Sequence, residues 1–78
     1  MEKAKVYTTT HCPYCRKVKD YLKKIGMPFV EYNLDKNPKY VQEVIRLTHQ
    51  TGVPVVVLKG RKIIGFDKKK IDETLGIR

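Results

Sequence analysis

The chain has 78 residues, 41% hydrophobic and 32% charged, with 17 Lys/Arg against 8 Asp/Glu and a formal net charge of +9. Its length fits one domain, residues 1–78, around a small core, which excludes multi-domain enzymes and large-cofactor binders. No apolar run approaches the roughly 18 residues of a membrane span, no apolar leader follows Met1-Glu2-Lys3, and two cysteines are too few for a secreted disulfide framework.

The elements follow in chain order. Ala4-Lys5-Val6-Tyr7 is a short strand candidate, and Thr8-Thr9-Thr10-His11 reads as a polar loop. Apolar residues then recur at Tyr14, Val18, Tyr21, Leu22 and Ile25, which mark one face of a helix over about residues 13–25. Pro13 suits its first position and Gly26 its end, so Cys12 falls at or near the N-cap. Phe29–Leu34 is the second strand, with Val30, Tyr32 and Leu34 on one face and Phe29, Glu31 and Asn33 on the other. Asn37-Pro38 opens a second helix whose expected buried stripe is Tyr40, Val41, Val44, Ile45 and Thr48. Gln50-Thr51-Gly52 ends it.

Val53-Pro54-Val55-Val56-Val57-Leu58 is apolar without alternation, as in a strand covered on both faces. A turn at Lys59-Gly60-Arg61 leads to an antiparallel partner over Lys62–Phe66. Asp67 caps a last helix with Ile71 and Leu75 inward, and Gly76 stops it. The order is β-α-β-α-β-β-α. A helix between the first two strands makes them parallel. The expected fold is α/β: a four-stranded mixed sheet flanked by three helices.

Charge is uneven along this frame. Residues 1–24 hold seven Lys/Arg and two Asp/Glu, residues 25–50 three of each, and residues 51–78 seven and three. Such a basic surface attracts nucleic acid, anionic membrane or an acidic protein. No nucleic-acid-binding motif accompanies it, so it reads as a solvated Lys-rich face, with neither nucleic acid nor membrane as the expected partner. No sizeable apolar stripe is left over, so a monomer is expected.

Cys12-Pro13-Tyr14-Cys15 is the motif with chemical content. Cys12 at a helix start meets unpaired backbone N–H groups and the positive end of the helix dipole, and both favour thiolate over thiol. Arg16, Lys17 and His11 add positive potential. Cys15 lies three residues on, where small adjustments bring the sulfurs to disulfide distance. It sits deeper and is expected as a neutral thiol.

Cys12 then attacks a substrate disulfide, and Cys15 resolves the mixed disulfide, leaving a Cys12–Cys15 disulfide for another reductant to reduce. Pro13 fixes the turn and, with His11, tunes the pair, while Tyr14 sits at the tip where its ring shields the sulfurs or touches substrate. A zinc site would need two more ligands. The only histidines are His11, badly spaced beside Cys12, and His49, a better helix cap than ligand. No metal site is expected.

Placed between the first strand and first helix, this motif makes the chain resemble the glutaredoxin class of the thioredoxin superfamily over nearly its whole length. The resemblance rests on Tyr7-Thr8, Cys12-Pro13-Tyr14-Cys15, Gly52-Val53-Pro54 and Gly65-Phe66-Asp67, in order and at family-like spacing. It implies the thioredoxin fold and a cis Pro54 against the cysteine pair. It also implies a Val53 backbone that pairs with substrate, with Tyr14, Gly65, Phe66 and Asp67 at the rim. Asp67 and the last helix's N-terminus would hold glutathione's amino group and carboxylate.

Several positions depart from the glutathione-using pattern. Thr9 stands for a basic residue, Gly52 for a threonine, and Ile64-Gly65 for a glycine pair. Lys68 follows Asp67 where a second acid is common. The chain is more similar to compact glutaredoxin-like redoxins, some of which are reduced by thioredoxin reductase and serve ribonucleotide reductase.

The expected function is a cytoplasmic dithiol–disulfide oxidoreductase that reduces protein disulfides as electron donor to target enzymes. It binds no cofactor and takes its electrons from glutathione or from thioredoxin reductase with NADPH. The alternative is a glutathione-dependent glutaredoxin that removes glutathione from mixed disulfides. A third reading is a binding adaptor on a redox fold.

Overall fold

The computed structural model describes residues 3–77. Its elements are β1 (Ala4–Thr8), α1 (Pro13–Lys24), β2 (Phe29–Asn33), α2 (Lys39–Thr48), β3 (Val55–Leu58), β4 (Arg61–Ile64) and α3 (Lys68–Leu75). The sheet order is β2-β1-β3-β4. β1 lies parallel to β2 with Val6 opposite Glu31, and antiparallel to β3 with Tyr7 opposite Val55. β3 and β4 form the expected hairpin. Among the described residues no helix is long and apolar enough to cross a membrane.

Period-two alternation divides the core between the two faces of the sheet. Ala4, Val6, Val56, Leu58 and Ile63 pack against Val18 and Leu22 of α1 and Ile71 of α3. Tyr7, Val55 and Leu34 pack against Val44 of α2 on the opposite face. There Tyr7 stacks on Tyr32 at 5.2 Å, Tyr40 meets Tyr32 edge-on at 5.0 Å, and the Tyr7 hydroxyl donates to Glu43 Oε2 at 3.0 Å. Desolvation, joined by Glu43, pushes the Tyr7 phenol up to about 12.

The helix ends follow elementary capping. α1 starts at Pro13 with Cys12 as N-cap. α2 departs from the expected Asn37 cap: its N-cap is Pro38 with no side-chain capping bond, Asn37 Oδ1 accepts the Lys39 N–H just ahead of it, and His49 ends that helix in the left-handed region at φ 61°. Asp67 Oδ1 accepts the Lys70 N–H to cap α3.

Four further expectations need correction. Thr8 belongs to β1, not to the loop, and is fully buried. Tyr14 does not join the buried stripe of α1: it is 59% exposed, and Cys15 takes that place. It lies in the first turn of α1. Ile45 of α2 is 42% exposed, while Leu47 packs inward in its stead. The last two strands are shorter than expected: Val53 and Pro54 precede β3, and Gly65 and Phe66 follow β4. Gly65 at φ 78° turns the chain out of the ladder.

Candidate active site

The register gathers three loops at one end of the sheet. One step beyond the Tyr7–Val55 and Val55–Ile64 pairs, Thr8, Pro54 and Gly65 form a row across β1, β3 and β4. The Gly65 N–H donates to the Pro54 carbonyl at 2.8 Å. From this row depart Thr9–Cys12, Val53 and Phe66-Asp67. Pro54 is buried, Val53 is half-buried, and the peptide between them is cis. Phe66 is half-buried against the core, edge-on to Tyr21 at 6.1 Å.

The two thiols differ in kind. Cys12 is half-buried at the N-cap, and its sulfur accepts the Cys15 N–H at 3.2 Å. This is the capping bond that a serine oxygen would make elsewhere, and an anionic sulfur is the stronger acceptor. Cys15 is 1% exposed. Burial, with the hydrogen bond to Cys12 second, pushes its thiol up to about 12, against the lowering effects of the Thr9 backbone N–H and the Lys19 ammonium. The result is one accessible sulfur at a helix dipole and one neutral thiol behind it.

Around them, His11 and Pro13 are exposed, and Lys17 sits over the Tyr14 ring at 5.1 Å. The turn after β2 holds the loop that leads to Cys12. The Leu34 N–H donates to the Thr8 carbonyl at 2.8 Å, and Asn33 Nδ2 donates to Thr10 Oγ1 at 3.4 Å. An open groove of about 500 Å³ runs along α1 past Thr10, Cys12, Cys15, Lys19 and Asp20. Lys19 binds Glu31 of β2, so this groove lies on the β2 side, away from Val53 and Pro54.

Sequence reasoning missed Thr8, Lys19 and Glu31 here. Thr8 Oγ1 donates to Glu31 Oε2 at 2.7 Å, and Lys19 Nζ donates to the same oxygen at 3.0 Å. Burial alone would push the Glu31 carboxyl up, but the Thr8 hydroxyl and Lys19 ammonium outweigh it and hold it below the usual range. The available signals were the shared parity of Val6 and Thr8 along β1 and the four-residue step from Cys15 to Lys19.

A cysteine pair opening the first helix of a β2-β1-β3-β4 sheet defines a redox protein of the thioredoxin fold. The glutaredoxin family model matches residues 4–63. A glutaredoxin-like 8.6 kDa protein encoded in the rubredoxin operon of Clostridium pasteurianum is 41% identical over 91% of this chain and 95% of its own length. The crystal structure of an Archaeoglobus fulgidus glutaredoxin superposes with a TM-score of 0.86 at 26% identity, covering 96% of this chain and 87% of that one. The glutaredoxin-like NrdH-redoxin of Escherichia coli, described by its thioredoxin-like activity profile, superposes at 0.80 with 25% identity, covering 92% and 93%. The chain belongs to the glutaredoxin family and is, like its members, a thiol–disulfide oxidoreductase with a Cys12/Cys15 pair.

Proposed function

We propose that this protein reduces protein disulfides by a two-thiol mechanism in the cytoplasm. Cys12 attacks the substrate, and Cys15 releases it. The asymmetry of the pair carries this reading: an N-cap sulfur accepting a backbone N–H, and a second thiol buried one turn behind. A buried neutral thiol does not compete for substrate, and it closes on Cys12 once a mixed disulfide is held in place. Val53 and Pro54 shape the groove for an extended substrate segment, with Tyr14, Gly65 and Phe66 at its rim.

The electrons come from a thioredoxin-reductase-type enzyme rather than from glutathione. The similarity to NrdH-redoxin over nearly the full length of both chains supports this. Thr9, Gly52 and Lys68 replace residues that support glutathione in the pattern described above. The α3 N-terminus is the feature a glutathione-dependent reading would use for a carboxylate, and the Asp67 carboxylate already caps it.

The test is the rate at which millimolar glutathione reduces the Cys12–Cys15 disulfide, set beside thioredoxin reductase with NADPH. Rapid turnover by the reductase with slow reduction by glutathione supports the proposal. Fast reduction by glutathione alone makes the protein a glutathione-dependent glutaredoxin.

A further inference from the structure

The chain Thr8–Glu31–Lys19 lies on the β2 side of the cysteine pair, and stability does not account for it. A part-exposed Lys–Glu pair contributes about 0–1 kcal/mol, and the Lys19 and Glu31 side chains are 28% and 34% exposed. Yet the Glu31 carboxylate is anchored by a hydroxyl from a fully buried threonine. The consequence is positional. Val6 pairs with Glu31, so Glu31 and Thr8 share the face of the sheet under α1, and Lys19 is drawn down beside them.

Lys19 is also one helical turn beyond Cys15, a step that sets Cβ atoms about 5–6 Å apart. Both line the β2-side groove. Cys15 needs such help. Burial pushes its thiol up, and the resolving step requires its thiolate.

We infer that Lys19, fixed by Glu31 and Thr8, is a positioning residue that holds a cation behind Cys15 during resolution, and that the groove beside it is where the Cys15 proton leaves. This rests on the two-thiol reading above. Cys15 Sγ gives its proton to water in the groove, and its thiolate attacks Cys12 Sγ. The Cys12–Cys15 bond forms, the Cys12–substrate bond breaks, and the substrate sulfur departs with the electron pair as thiolate. The disulfide stays on the protein and two electrons pass to the substrate. Other charged groups face the same space: His11, Arg16, Lys17 and Asp20 along the groove, Glu31 from β2, and the Cys12 sulfur itself. Lys19 alone of these is tied to a carboxylate of the sheet.

The test is a single-turnover reaction of the reduced full-length protein with 5,5′-dithiobis(2-nitrobenzoate). The first release of thionitrobenzoate reports attack by Cys12, and the second reports closure by Cys15. Lys19→Met is expected to slow the second release about tenfold and to displace its pH profile upward by about one unit, the effect of losing one nearby opposite charge. The first release should stay within about twofold. Lys19→Arg should restore the second phase, and Glu31→Gln, which frees the ammonium, should give an intermediate rate.

An unchanged second phase and pH profile in Lys19→Met would overturn the inference. So would a slowing that leaves the pH profile in place or that Lys19→Arg does not relieve. Cys15→Ser is the control for the underlying reading. If a second release persists there, the role of Cys15 fails, whatever Lys19 does.

Discussion

Asp35, in the turn after β2, accepts the backbone N–H of Thr10 at 2.8 Å. That bond ties the loop before Cys12 to a neighbouring strand's end. The Thr10 N–H, then its hydroxyl, and the nearby His11 hold the Asp35 carboxyl below the usual carboxylate range. A depressed acid pKa stabilises the fold above the unfolded value of about 3.9 and ceases to do so as pH falls through the lower folded value. Asp35→Ala should lower the urea midpoint at pH 7, and the gap from wild type should close below about pH 4. A gap that is constant with pH would assign the effect to packing instead.

Loss of the second thiol separates the two substrate classes. Cys15→Ser should abolish turnover on protein disulfides, because the mixed disulfide on Cys12 has nothing buried behind it to release substrate. Removal of glutathione from a mixed disulfide needs Cys12 alone and an added thiol. If the variant keeps multiple turnovers on a protein disulfide, with glutathione absent, the resolving role of Cys15 is wrong.

The start of α3 depends on one carboxylate. Asp67 Oδ1 accepts the Lys70 N–H at 3.0 Å, and removal of such a cap costs about 1 kcal/mol. Asp67→Ala should show that loss in chemical denaturation, and Asp67→Asn, which retains an acceptor oxygen, should recover most of it.

Two residues of α1 should respond in opposite ways. Leu22 is fully buried between the helix and the sheet, so Leu22→Ala should cost about 2–5 kcal/mol. Tyr14 is exposed, and Tyr14→Ala should change stability by less than about 1 kcal/mol. A change in turnover on protein disulfides, measured in the same Tyr14 variant, would mark the ring as a substrate contact.

What the sequence made legible was local. Cys12, Pro13 and Cys15 span a single turn, so their chemistry follows from the N-cap, the dipole and a three-residue step. Asp67 and Gly76 likewise announce the two ends of α3 by residue type. What it hid depends on contacts between segments. The burial of Thr8 is decided by β2 and α1 closing over it, and a threonine after Tyr7 reads equally well as loop. The Lys19–Glu31 pair exists because Val6 and Glu31 share a register. In α2, Ile45 and Leu47 are both apolar, and the tilt of the helix on Tyr7, Tyr32 and Val55 decides which turns inward.

β1 is held by a parallel neighbour on one side and an antiparallel neighbour on the other, while β4 and α3 lie at the margin of the sheet. Amide exchange should therefore be slowest in Val6 and Tyr7 and fastest toward Leu75. The loop to Cys12 springs directly from β1, one of the two central strands. A local opening confined to the β4–α3 margin would leave Cys12 and Cys15 standing on β1 and α1, so the reacting centre and the rim beside it rest on separate parts of the fold.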